Sequence, residues 1–366
     1  MNPTLYTGTK STPPARLDGT ARGVSRALTN TNIPALKRLV TGRYLASLAA
    51  QHEDLSLSAK GGKYPHTHAF DAALGCGPPP SYDAASSNAN ESLPMHAPKH
   101  SPHAAIGVVD SGVGGLSALL ALRERFPDES YAYIADPAHM PYGDKDDTTI
   151  RDATRRLLDA SRAVPLKALV IACNTMCAHG ARDLAATLRV PVFDILRCGA
   201  AAASRRASGC VGVIATAATV RSGAFERTIR RLRAELEVRV VACPRLATLI
   251  ESGPAARGDA LRLLGVYLNR LRPATLDALL IGCTHYAFAH DAIAAQLPGE
   301  TTVVNPSRVV VDAVGRALHT GRIARARGRA GQCSLHVNGR HDTFARAVRD
   351  LAPELPLSAV TRLCMN

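Results

Sequence analysis

Cys173 and Cys283 each close an apolar run and precede small polar residues, in the tetrapeptides ACNT (172–175) and GCTH (282–285). A free thiol titrates at about 8.5, and a neighbouring cation or helix N-terminus lowers that value. One of two such cysteines can therefore be a thiolate while the other stays a thiol. An acid and a base of equal intrinsic strength, on opposite faces of one carbon, would take a proton from one side and return one to the other. That chemistry inverts a stereocentre and needs no cofactor. A single cysteine on an apolar strand is more often a small buried hydrophobe. Two in matched surroundings argue for chemistry.

The elements that must position these thiols follow from the pattern around them. The runs 168–172 and 278–282 read as buried parallel strands, and α/β proteins bind ligands at the carboxyl ends of such strands. From residue 105 onward the chain alternates strand, glycine turn and helix. Strands are predicted over 106–109 and 131–135, with helices over 116–125 and 149–163 and a loop through Met140-Pro-Tyr-Gly143. A second series starts with the strand 210–215. It continues through 216–222, a long basic helix, a strand over 237–242 and a further helix. Gly107 in the first series aligns with Gly212, and Cys173 with Cys283, at nearly constant offset. The fold class expected is α/β: two pseudo-symmetric, doubly wound domains with parallel sheets and a site in the cleft between them. Residues 105–197 with 306–366 would form the first domain and 198–305 the second.

The segment DSGVGGL (110–116) directly follows the first strand. Its glycines allow a tight turn and close approach to a ligand, and the amides that open the next helix favour a carboxylate or phosphate. A dinucleotide site is the competing reading, because Asp136 ends the second strand where a ribose-binding acid would lie. The fingerprint G-x-G-x-x-G from Gly112 fails, since position 117 is Ser117. Zinc is another use for Cys173, Cys177, Cys283 and His285, but their spacings do not match structural zinc sites. No metal and no cofactor is expected.

The 366 residues suffice for two domains with proper cores, and 46% hydrophobic residues exclude disorder of the whole chain. No apolar run approaches the roughly 20 residues of a membrane helix, and the start lacks a signal-peptide core. Nine cysteines without scaffold spacing fit a reducing, cytoplasmic location. Residues 1–104 hold 10 Lys+Arg against 6 Asp+Glu, which leaves +10 of the net +14 on the rest. A basic surface attracts nucleic acid nonspecifically. No zinc finger, helix-turn-helix or aromatic interleaving accompanies it, so no specific nucleic-acid partner is expected. Residues 1–104 read as an N-terminal extension, mostly disordered, with one short helix over 35–50. A chain starting at Met95 is expected to keep fold and activity.

From Ile106 onward the sequence resembles the glutamate racemases of the cofactor-independent aspartate/glutamate racemase superfamily. The resemblance rests on DSGVGGLS (110–117), PYGDK (141–145), ACNT (172–175) and GCTHY (282–286), in the family's order over most of the remaining chain. It implies that Cys173 and Cys283 transfer the protons, with Asp110 and His285 assisting and Asp136 and Glu251 as more distant electrostatic participants. It implies that Asp110, Ser111, Pro141, Tyr142, Gly143, Asn174, Thr175, Thr284 and His285 hold an amino-acid substrate. D-Glutamate for peptidoglycan would be the product. A racemase of aspartate or another amino acid, or a weakly active paralogue with a binding or regulatory role, are the alternatives, and a homodimer is left open. Three departures touch the pocket. Pro137 follows Asp136 where the family has Thr, Met176-Cys177 replaces small residues, and Ala287-Phe288 replaces Pro-Leu. Cys177 is expected to be a buried bystander.

Overall fold

The computed structural model describes residues 101–271, 275–328, 330–339, 341–355, 360–363 and 365. The expectations for residues 1–100, including the helix over 35–50 and the start at Met95, lie outside the described residues.

Strands β1 (Ala105–Asp110), β2 (Tyr131–Ala135) and β3 (Leu166–Ile171) are buried almost throughout. Strands apolar on both faces must be inner strands of a sheet covered by helices on each side. β1 accordingly pairs in parallel with β2 on one edge and β3 on the other. β4 (Val192–Asp194) follows beyond β3, and β9 (Cys333–Val337) and β10 (Val360–Arg362) follow beyond β2, giving the order β10-β9-β2-β1-β3-β4. The second sheet is also parallel. β5 (Cys210–Ala215) lies between β6 (Glu237–Ala242) and β7 (Ala278–Gly282), with β8 (Thr302–Val304) beyond β7.

The order β2-β1-β3-β4 thus recurs as β6-β5-β7-β8, and the repeat extends to side chains. A Cβ on Gly107 would lie 2.9 Å from Leu166 Cδ1, and one on Gly212 would lie 2.7 Å from Leu276 Cδ1. Each sheet presses a leucine against a glycine of its central strand, and these leucines stand at the same offset as the two cysteines.

Helices α1 (Leu116–Arg125) and α2 (Asp147–Ala160) follow β1 and β2. α2 begins two residues before the expected position because Asp146 caps it, accepting from the Thr149 amide at 2.9 Å and the Thr149 hydroxyl at 2.6 Å. Its expected last turn, Ser161–Ala163, tightens to a 3₁₀ turn. Short α3 (Asn174–Ala178) and α4 (Ala181–Ala185) lead to β4, and α5 (Ile195–Arg206) to the second sheet. There α6 (Ala217–Arg221) and α7 (Ala224–Leu232) are separated by Gly223 at φ 62°, so the basic helix expected to be long has 9 residues. α8 (Leu246–Glu251), α9 (Arg257–Asn269), α10 (His290–Ala294), α11 (Pro306–His319) and α12 (His341–Leu351) complete the described helices.

α5 joins the two cores. Ile195, Cys198 and Ala201 pack into the core of the first sheet, and Leu196, Ala200 and Ala203 into that of the second. α11 packs on α1 and α5, where Gly199 admits Pro306: a Cβ there would lie 2.8 Å from Pro306 Cγ. No described helix is long and apolar enough to cross a membrane.

Candidate active site

The carboxyl end of β1 meets the carboxyl end of β7. Asp110, fully buried, accepts the Gly112 amide on Oδ1 at 2.8 Å and the Thr284 hydroxyl on Oδ2 at 3.3 Å. The glycine loop lies so close to the second sheet that a Cβ on Gly114 would be 2.5 Å from His285 Nδ1 and 2.6 Å from Thr284 Oγ1. Only glycine fits that contact. Ser117 Oγ sits 2.8 Å from the Gly114 carbonyl, 3.4 Å from the Thr284 carbonyl and 2.8 Å from Ser307 Oγ, so one buried hydroxyl ties the loop to both sheets. Tyr133 donates to the Gly112 carbonyl at 2.7 Å and Tyr286 to the Cys243 carbonyl at 3.0 Å, holding the loop after β1 and the turn after β7.

Cys173 and Cys283 occupy equivalent places. Cys173 sits just before α3, Cys283 just before the 3₁₀ turn Thr284–Ala289, both on extended backbone and each 6% exposed. The Cys173 thiol donates to Ser111 Oγ at 3.5 Å. Burial, and then the charge of Asp110, pushes the Cys173 thiol up to about 12; the Ser111 hydroxyl and the Met176 amide pull the other way. That direction favours the neutral thiol over the thiolate at Cys173. Cys283 Sγ lies 3.9 Å from His285 Nδ1, and His285 Nε2 lies 3.5 Å from Glu251 Oε2. Burial opposes the charged imidazole, but Cys283 and Glu251 together outweigh it and hold the His285 pKa well above the ordinary histidine value. The 3.5 Å approach to Glu251 is an ion-pair distance, longer than a good hydrogen bond. Burial also raises the Asp110 carboxyl, against the His285 charge and the amides of Gly112 and Gly115.

Asn174 and Thr175 open α3. The Asn174 amide is buried with neither its oxygen nor its nitrogen partnered. A buried primary amide in that state is costly unless a ligand supplies the missing bonds. Thr175 Oγ1 lies 3.0 Å from Thr216 Oγ1 and 3.2 Å from Thr219 Oγ1, themselves 2.9 Å apart, so three hydroxyls cluster where the two sheets meet. Gly143, after Pro141 and Tyr142, lies against the same place: a Cβ there would be 2.6 Å from Thr216 Cβ. Of the residues noted in the sequence, Asp110, Ser111, Cys173, Cys283, Thr284, His285 and Glu251 form one connected group. Thr175 and Gly143 line the neighbouring seam, and Asn174 precedes Thr175 at the start of α3.

Asp136 and Tyr142 are directed to each other instead. The Tyr142 hydroxyl donates to Asp136 Oδ2 at 2.7 Å, and Asn338 and His139 bind the same carboxylate. Glu251 and Pro137 line a cavity of about 340 Å³ together with Val113, Met140 and Phe344. Sequence reasoning gave no site role to Ser117, His139, Ser307 or Asn338. A local signal for Thr216 and Thr219 is the capping pattern of α6, in which the Thr219 amide donates to Thr216 Oγ1 at 3.3 Å. Cys177, expected to be buried, is only partly so; its thiol donates to the Ile171 carbonyl at 3.6 Å, and desolvation raises its pKa well above the usual value. Among the described residues no three His, Cys, Asp or Glu side chains are grouped to hold a metal, so the zinc alternative finds no ligand set there.

Two echoing parallel sheets, each with a buried cysteine just past the end of an inner strand, define a recognisable class of fold and site. The chain belongs to the Asp/Glu/hydantoin racemase family, whose model matches residues 117–314. It is 37% identical over 228 residues to the glutamate racemase of Pseudomonas aeruginosa, spanning 62% of this chain and 86% of that one. Among solved structures it resembles the glutamate racemase of Thermus thermophilus in complex with β-chloro-D-alanine, with 34% identity and a TM-score of 0.64 over 72% of this chain and 98% of that one. It also resembles that of Francisella tularensis in complex with D-glutamate, with 26% identity and a TM-score of 0.67 over 72% and 99%.

Proposed function

We propose that this protein is a glutamate racemase that interconverts L- and D-glutamate with two cysteines and no cofactor. The observation that carries this reading is the equivalent placement of Cys173 and Cys283 at the ends of β3 and β7, linked through Asp110 and Thr284. One sulfur, as thiolate, takes the α-proton and becomes a thiol. The resulting planar carbanion takes a proton from the other thiol, which is left as thiolate. The charge has changed sides after one turnover, so each sulfur needs partners in both states. Cys173 has them: its thiol donates to Ser111, and as thiolate it would accept from the Ser111 hydroxyl and the Met176 amide. Cys283 has the cation-favouring His285 at 3.9 Å.

An α-proton beside an ionised carboxylate is very weakly acidic, so exclusion of water and preorganised donors must supply most of the rate. The unpartnered Asn174 amide, Thr175, Thr284, Ser111 and the backbone of Pro141–Gly143 are the groups we assign to the substrate's carboxylates and ammonium. Asp110 and His285 assist the two thiols. Residues 105–197 with 306–366, and 198–305, act as two domains around the cleft. The product would serve peptidoglycan synthesis in the cytoplasm. Pro137 supports a second reading, a shift towards aspartate or another amino acid, because it lines the cavity with no donor where the family carries a hydroxyl.

Circular dichroism of L-glutamate incubated with the purified protein and no added cofactor tests the proposal. Decay of the signal to zero is expected. A stable glutamate signal with decay for aspartate would move the assignment to the second reading.

A further inference from the structure

Asp136 ends β2, is fully buried, and each of its oxygens already accepts two contacts. Asn338 Nδ2 donates to Oδ1 at 2.7 Å, the Tyr142 hydroxyl donates to Oδ2 at 2.7 Å, and His139 Nδ1 lies 2.9 Å from both. His139 Nδ1 has one proton to share between the two oxygens, so three donors, all from the protein, hold this fully buried carboxylate. The donors come from distant parts of the chain. Tyr142 and His139 belong to the loop after β2, while Asn338 follows β9, and the backbone repeats the link. The Asn338 amide donates to the Ala135 carbonyl at 2.9 Å and the Ala138 amide to the Asn338 carbonyl at 3.2 Å. Gly339, at φ 90°, has its Cα so near that a Cβ would be 2.6 Å from Ala138 Cβ. The far end of the loop is equally constrained, with Gly143 seated on Thr216.

We infer that His139 and Asn338 are positioning residues for substrate binding: through Asp136 and Tyr142 they clamp the Pro141–Gly143 backbone against the second sheet. Asp136 on this account is the post of the clamp and does not act on the proton transfer as a remote charge. The inference rests on the assignment of Pro141–Gly143 to the substrate. It makes affinity depend on the segment after β9, far in sequence from every cysteine. Charge-assisted hydrogen bonds are short and strong, and a backbone displaced by a few tenths of an ångström loses its own bonds to a ligand.

The test uses the full chain with His139→Ala, His139→Asn and Asn338→Asp. Asn338→Asp keeps the shape and sets a carboxylate against a carboxylate. His139 is 46% exposed at its side chain, so its replacement is the gentle arm if Asn338→Asp fails to fold. Expected is a KM for glutamate raised about 5-fold or more by His139→Ala and Asn338→Asp with kcat within about twofold, the scale of one lost hydrogen bond. His139→Asn, which keeps a donor near the Nδ1 position, should restore most of the loss. Hydrogen exchange should quicken in amides 138–145 and not across the strands.

An unchanged KM with unchanged exchange would overturn the inference. So would a fall in kcat at constant KM, which would make Asp136 an electrostatic participant. If the wild-type protein does not racemise glutamate, the exchange readout still decides: local quickening upholds the clamp while the substrate assignment falls.

Discussion

Thr284 Oγ1 donates to Asp110 Oδ2 across 3.3 Å, joining the ends of β7 and β1 from positions 174 residues apart. This contact ties the turn that carries Cys283 to the carboxylate that ends β1, next to Ser111, which accepts from the Cys173 thiol. It also buries that carboxylate completely, and burial raises its pKa.

Replacement of Asp110 by Asn should separate stability from function. Asn keeps an oxygen for the Gly112 amide and a nitrogen for Thr284, while removing a buried charge. A folded pKa above the ordinary carboxyl value means that the folded state binds the proton more tightly. The folded protein therefore loses stability as pH rises through that folded value. Asp110→Asn should melt higher than wild type at pH 7, with racemisation reduced at least about tenfold. Calorimetry and circular dichroism check both halves; a lower melting temperature would show that the charge stabilises the fold.

Cys173→Ser and Cys283→Ser should each reduce racemisation to less than about one hundredth, since a serine hydroxyl is a far weaker acid than a thiol. Each variant should still eliminate a β-leaving group from one enantiomer of a glutamate analogue, because that reaction needs only one proton removed. Retention of more than a tenth of racemisation by either variant would refute the two-thiol mechanism.

The raised pKa of His285 carries a signed stability prediction. Its contribution is fully present below the unfolded histidine value of about 6.5 and is lost as pH rises through the higher folded value. The melting temperature of wild type relative to His285→Asn should thus be most favourable near pH 6 and shrink towards pH 9. A difference independent of pH would mean that the imidazole is not cationic beside Cys283 and Glu251.

Gly114→Ala tests the seam between the sheets. The added methyl carbon would fall 2.5 Å from His285 Nδ1 and 2.6 Å from Thr284 Oγ1, so loop and turn must separate. Overpacking of this kind costs about 1–3 kcal/mol, and the displacement falls on the Asp110–Thr284 and Cys283–His285 pairs. A drop in kcat/KM larger than the loss of folded protein is expected. The alanine at Gly258, where nothing lies within 4 Å, serves as the control that should leave activity unchanged.

Much of the site was legible in the chain because it is local. Cys173, Asn174 and Thr175, and likewise Cys283, Thr284 and His285, are consecutive residues that end apolar runs, and the period of those runs alone puts them at strand ends. Asp110 and Ser111 follow the first such run directly, so their nearness to a ligand is implied by the glycines after them. The repeat of Gly107 and Gly212 carried the echo of the two sheets for the same reason. α2 starts two residues ahead of its apolar pattern because its cap, Asp146, outweighs that pattern.

Tertiary structure alone decided which distant groups share a bond. Asn338 meets Asp136 only because β9 pairs with β2 in the register Ala135↔Val337, and Thr175 meets Thr216 only because the two sheets abut at that height. No periodicity encodes such a register: it is set by how leucines, glycines and helices α5 and α11 fill the space between the sheets. The same packing removed water from Cys173, Asp110 and His285 and so set their proton affinities. Residue type marked the titratable groups of the candidate site, and burial with its partners shifts their proton affinities.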